Sequence, residues 1–225
     1  GFCILGKRKE GRDRMDEWNF KRVGIEDQKL IEEYFRKYPE RSCDRTFFGV
    51  LLWGRHYNLK FADTGKALLF REEDERGYGF AWPAGPEEEI RELIPQMEMY
   101  CEKHGGEFLM YGLSEAQFAL LDSWYPGRYQ IEYDRDAADY IYESEKLCTL
   151  SGKKLHGKRN HINKFKATYE DWAYEPLEED NLEECFQMAL KWRNENGCED
   201  DEEKNCEMCV TLNSLRLFRE LHLRG

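Results

Sequence analysis

The 225-residue sequence has no apolar run near the ~18–20 residues that a membrane-crossing helix needs, which excludes a helical integral membrane protein. It opens Gly-Phe-Cys-Ile-Leu without an apolar signal core of about 7–15 residues. With no secretory leader, the eight cysteines at 3, 43, 101, 148, 185, 198, 206 and 209 read as reduced thiols of a cytoplasmic protein, not as a disulfide framework. There is no close internal repeat, no dinucleotide-binding glycine fingerprint and no Ser-His-Asp order. Basic residues are in deficit, 34 against 46 acids for a net charge of −12, which argues against a protein coated in nucleic acid but leaves room for a local basic patch. What the chain does have is aromatic mass, 13 Tyr, 13 Phe and 6 Trp, within an apolar fraction of 40%. That is enough for a real core in one large or two small domains.

The hydrophobic pattern predicts a string of elements. Residues 17–25 alternate loosely as a short strand, and Asp27 caps a helix to about Tyr38 whose Leu30, Ile31, Tyr34 and Phe35 share a face. A second helix runs from Asp44 to about Tyr57. Strands follow near 58–62, 66–71 and 78–82, then a long helix over 86–104 that Gly105 and Gly106 end. A strand at 107–112, a helix at 114–124 and strand material at 128–142 complete this part. Met15 precedes the first patterned segment, so residues 1–14, with Lys7, Arg8, Lys9, Arg12 and Arg14, read as a disordered lead-in. The order is that of a GNAT-like acyltransferase fold: α+β, a mixed sheet flanked by helices, over 15–145. The same order then restarts over 146–225, with a strand at 172–177 and helices at 180–194 and 201–221, as the helical start of a second GNAT-like unit. Those two helices carry apolar faces with no sheet of their own. They must pack on the first half, across a homodimer interface, or against a missing C-terminal half.

The chemistry concentrates in Ser151–Lys166, which holds five Lys and one Arg, two of the five histidines and no acid. On a helix, Leu155, Ile162 and Phe165 fall on one side for packing, while His156, Asn160 and Lys164 lie at i, i+4 and i+8 on the other. Ser151 and Gly152 suit a helix N-terminus, where free N–H groups favour anions. Two readings stay open: a solvated basic face that offsets acidic neighbours, or a surface for phosphate on tRNA, a phospholipid head group or a nucleotide.

Gly152-Lys-Lys-Leu-His-Gly-Lys-Arg-Asn-His-Ile-Asn-Lys164 resembles the Gly-Lys-Lys…Arg-Asn…Leu-Asn-Arg stretch of the phosphatidylglycerol lysyltransferase C-terminal domain family. It is closer still to uncharacterised bacterial cytosolic proteins grouped with that domain. Tyr38-Pro-Glu-Arg-Ser-Cys-Asp-Arg-Thr-Phe47, with Leu-Trp53 after it, and Phe108-Leu-Met-Tyr-Gly-Leu113 carry the same resemblance. It implies a tandem GNAT-like fold whose relatives move an aminoacyl group from tRNA to a lipid or peptidoglycan precursor, and it implies that this chain is truncated in its second half. By position it nominates Lys153, Lys154, Lys158, Arg159, Asn160 and Lys164 as substrate-facing; helical geometry adds His156 and His161, and the turn between the first two helices adds Arg41 at a cleft rim. At that turn the plainer reading is a cap by Ser42 or Asp44 with Arg41 in an ion pair.

No resident cofactor or metal is expected; the donor substrate is acyl-coenzyme A or aminoacyl-tRNA. The helix starting Pro86-Glu87-Glu88-Glu89 meets its own dipole with carboxylates and would repel a pyrophosphate. Arg76-Gly77-Tyr78-Gly79 leads into a strand instead of a helix. Cys206 and Cys209 form only one knuckle, so they read as core thiols and not as a zinc site. An aminoacyl or acyl transferase therefore stands against a non-catalytic module for tRNA or anionic lipid head groups, and against an inactive fragment.

Overall fold

The computed structural model describes residues 2–6, 18–74, 77–135 and 138–225. Six strands form one mixed sheet: β1 (Phe2–Gly6), β2 (Lys60–Asp63), β3 (Leu68–Asp74), β4 (Gly77–Phe80), β5 (Leu109–Leu113) and β6 (Tyr129–Tyr133), in the order β2-β3-β4-β5-β1-β6. Every neighbouring pair is antiparallel except β4 with β5. A parallel pair needs a crossover, and the 17-residue helix α3 (Glu87–Lys103) supplies it. The α+β expectation of a mixed sheet flanked by helices is what the chain forms.

Alternation along β3 sorts the two faces. Leu68 and Phe70 join a core with Phe61 of β2, Ile31 and Phe35 of α1 (Gln28–Lys37), and Phe47 and Val50 of α2 (Phe47–Leu52). Leu69 faces the opposite way, toward Ile90, Leu93, Ile94 and Met97 of α3 and Leu121 of α4 (Glu115–Trp124). Arg71 shares that second face. It is 4% exposed, and its guanidinium lies over the rings of Tyr78 at 4.0 Å, Phe20 at 4.8 Å and Tyr100 at 5.4 Å. An aromatic box of this kind repays part of a buried cation's desolvation.

Local chemistry explains the helix ends. Thr46 Oγ1 accepts from the Gly49 N–H at 3.0 Å to start α2, and Ser114 Oγ accepts from the Gln117 N–H to start α4. Asp27 turns backward, its carboxylate taking the Gly24 N–H at 2.9 Å and Lys21 Nζ at 2.6 Å. Pro95 sits inside α3 and lacks the N–H that would bond the Arg91 carbonyl. The hydroxyl of Tyr125, just past α4, donates to that carbonyl at 2.6 Å.

Several expectations are corrected. Phe2–Gly6 lie in the proposed lead-in but form β1, antiparallel to both β5 and β6; this short apolar segment satisfies its backbone by pairing on two sides. Residues 7–14 lie outside the described residues. Of the strand expected over 17–25, the described residues 18–25 give a single bridge, Lys21 with Phe61, and not a strand. Strand pairing at the far end of the sheet stops at Tyr133, well short of 142. The strand expected at 172–177 does not form; the segment is exposed almost throughout, and the Leu177 N–H donates to the Gly225 carbonyl at 2.8 Å and not to a strand.

The remainder is helical: α5 (Ser144–Thr149), α6 (His156–Thr168), α7 (Leu182–Glu195) and α8 (Glu202–Arg216). Ala189, Cys198, Met208 and Leu212 bury one another between α7 and α8. Leu217, Leu221 and Leu223, beyond α8, pack into the α1–α2 core. Packing on the first half is thus how these helices cover part of their apolar surface.

Candidate functional site

The basic segment is built around a tight corner. α5 ends at Leu150 in the left-handed region, φ 49 and ψ 32, and Gly152 follows at φ 90, where only glycine is at ease. A 3₁₀ turn over Lys153–Leu155 then runs straight into α6. Lys153, Lys154, His156, Lys158, Asn160, His161 and Lys164 are all exposed. His156 and Asn160 sit one turn apart as the spacing predicts, with Asn160 Nδ2 3.2 Å from His156 Nε2. Lys153, Lys154, Lys158 and Lys164 make no ion pair among the described residues, so four ammonium groups face solvent from one helix and its entry turn.

Three placements differ from the sequence reading. Arg159 is half-buried, and its Nη1 donates to the carbonyls of Leu150 and of Gly152, the latter at 2.9 Å. Leu155, Ile162 and Phe165 do not pack on the body of the fold: Ile162 and Phe165 are 43% and 48% exposed. Phe165 instead gathers Tyr169 and Trp172, with ring centroids 5.1 and 6.1 Å away, and Lys166 Nζ lies 5.5 Å from the Trp172 ring.

Arg41 is the third. It is exposed, makes no ion pair among the described residues, and has no hydrogen bond to α6. Ser42 is the cap there, its Oγ accepting from the Asp44 N–H at 3.2 Å. The arginine that the turn buries is Arg45, whose Nη2 donates to Glu40 Oε1 at 2.6 Å and to the Trp82 carbonyl. Trp82 follows β4 where it leaves β5, so Arg45 secures the place at which the parallel pair diverges.

Close to it, the Tyr111 hydroxyl is hydrogen-bonded to Glu72, and burial, then that carboxylate, holds the phenol well above its ordinary pKa. Tyr111 belongs to the 108–113 motif and Arg45 to the 38–47 motif, so both lie inside segments that the sequence singles out. Nothing in the pattern says which arginine of the two turns inward. On the other face, Tyr129 donates to Glu98 at 2.8 Å, and burial raises both groups' pKa values. Cys101 is pushed up to about 12 by burial. Tyr111, Tyr129 and Cys101 are thus interior groups shifted away from the low pKa of a nucleophile, and Glu98 also holds Arg128 in an ion pair.

The first turn of α3 carries Glu87, Glu88 and Glu89, with Lys66 Nζ 2.8 Å from Glu89. Cys206 and Cys209 lie on α8 half-buried, and Cys198 is wholly buried. Among the described residues, no three His, Cys, Asp or Glu side chains come together as a group that could hold a metal. None of the described helices is long and apolar enough to cross a membrane.

The profile of a family described as phosphatidylglycerol lysyltransferase, C-terminal, matches residues 35–225. An uncharacterised protein of Mycoplasmoides gallisepticum is 34% identical over 89 residues, which make up 39% of this chain and 28% of that protein. The crystal structure of a conserved protein of unknown function from Bacteroides thetaiotaomicron is similar with a TM-score of 0.82 at 30% identity, covering 92% of this chain and 70% of the other.

Proposed function

The chain belongs to the phosphatidylglycerol lysyltransferase C-terminal family, and on that premise we propose that it serves an aminoacyl or acyl transfer in which α6 holds a phosphate-bearing substrate. The observation that carries this is the quartet Lys153, Lys154, Lys158 and Lys164, without an ion pair among the described residues, on a segment without an acid in a chain of net charge −12. Such cations bind phosphate oxygens whatever molecule bears them. The carboxylates in the first turn of α3 favour the same assignment, because they repel a pyrophosphate at the other helix end where one would sit. Aminoacyl-tRNA is therefore favoured over acyl-coenzyme A as donor, and phosphatidylglycerol is the acceptor that the family description suggests.

Transfer of this kind rests on placement. An activated ester is held beside an amine or hydroxyl, and donors aimed at the developing oxyanion lower the barrier. In this reading the GNAT-like unit, β1 together with the residues up to 145, is a scaffold, 146–225 carries the substrate-holding helix, and the protein works in the cytoplasm with its thiols reduced.

The test is transfer of a labelled lysyl group from lysyl-tRNA into phosphatidylglycerol vesicles, for the chain and for its Lys153/Lys154/Lys158→Ala variant. The proposal expects transfer that the variant loses at least tenfold. A second reading, an anion-binding module without catalysis, is favoured by the full exposure of those cations, since catalysis by placement works best away from water. Binding of tRNA without any transfer is its signature. Transfer equal in the two chains removes α6 from the account.

A further inference from the structure

We propose that Arg159 is a positioning residue that clamps the α5–α6 corner and so sets where Lys153 and Lys154 stand, and that it is not itself a phosphate ligand. The inference rests on the reading that α6 binds a phosphate-bearing substrate, and it reassigns one of that reading's own residues. The corner is awkward in three ways. Leu150 is a leucine in the left-handed region, a conformation that crowds its Cβ against the backbone. Its carbonyl caps the end of α5, where partial negative charge collects, and the Gly152 carbonyl stands two residues on, at the entry of the 3₁₀ turn. Lys153, Lys154 and Lys158 then follow within two turns and repel one another.

Arg159 answers all three from one turn inside α6. Its Nη1 reaches back nine residues to the Leu150 carbonyl and seven to the Gly152 carbonyl, tying the entry turn to the helix that follows. The guanidinium brings a positive charge to those carbonyls and holds the chain in a path that the lysines' repulsion would open. Nη1 has two N–H groups, and both are committed to these acceptors. A lysine at this place keeps the charge but not the planar, pre-organised fork.

The experiment compares Arg159→Lys and Arg159→Gln with the unaltered chain and with Lys153/Lys154→Ala. Binding of deacylated tRNA is followed across a salt series, and amide hydrogen exchange is followed by mass spectrometry. A clamp predicts that both Arg159 variants bind about tenfold more weakly, the scale of a charge-assisted hydrogen bond, with a slope of log affinity on log salt like that of the unaltered chain. It predicts faster exchange over 151–155 in both, with 160–168 little changed. An Arg159→Lys chain that binds normally beside an Arg159→Gln chain whose slope drops by about 0.7–0.9 makes Arg159 a direct phosphate ligand and overturns the inference. Exchange over 151–155 that stays unchanged in Arg159→Gln overturns it as well. Loss of the underlying reading looks different: Lys153/Lys154→Ala then leaves tRNA affinity and slope untouched, whatever the exchange at the corner shows.

Discussion

At the residue scale, side chains of one type separate by what surrounds them. Arg41, Arg45, Arg71 and Arg159 are alike as charges, yet one is solvated, one holds the β4–β5 divergence, one lies in an aromatic box and one grips two carbonyls. Cysteines separate in the same way. Cys43 is exposed beside Asp44 and Asp139, and partial burial and then those two carboxylates raise its thiol above the ordinary value. The thiolate is the reactive form, so a raised pKa moves reactivity to higher pH. Alkylation of Cys43 by iodoacetamide, read by peptide mass spectrometry, is expected to rise at a higher pH than that of free cysteine, and Cys101 to stay unmodified until the chain unfolds. A Cys43 profile matching free cysteine contradicts the electrostatic assignment.

At the element scale, legibility follows local signals. α1, α3 and α4 are readable because helical spacing and a Pro or Gly stop agree at each of them, and at α4 the Ser114 cap agrees as well. β2, β3 and β4 are readable from alternation and from the turn at 63–65. α5 is not: its six residues are too few to show a period, and they straddle the expected domain boundary. β1 escapes because four apolar residues and a glycine beside a basic run resemble a tail until the strands on either side of them are known. The expected strand at 172–177 reads too much into Trp172 and Tyr174, since alternation describes a strand only where an edge exists to pair with it.

Of the candidate site, the exposed cations and the His156–Asn160 spacing are legible. The packing of Ile162 and Phe165 is not, because a helical wheel shows which residues share a face and not whether anything meets it. Pro95 gives a test of element-level reasoning. Tyr125→Phe is expected to cost about 0.5–1.5 kcal/mol, measured by urea unfolding, because it removes the bond to the Arg91 carbonyl. In a Pro95→Ala background, where a helical N–H returns, the same change should cost less. Equal costs in the two backgrounds contradict the compensation.

At the scale of the whole molecule, the sheet and its two helical layers form a body to which Leu217, Leu221 and Leu223 fasten the end of the chain. The stretch from 138 to 177 departs from it. Tyr140, Ile141 and Tyr174 are more than 80% exposed, and every residue of α6 except Arg159 is exposed. On the proposed reading, the acidic chain and the exposed cations of α6 together make a field that would steer a polyanion toward α6.

The central claim, that α6 is the element that holds phosphate, is tested most directly by the salt dependence of deacylated tRNA binding in the unaltered chain and in Lys153/Lys154/Lys158→Ala. The account predicts affinity that falls steeply with salt, and a variant whose log–log slope is shallower by about 2–3, one share for each phosphate that the variant no longer neutralises. A triple variant that binds with the same affinity and the same slope contradicts it.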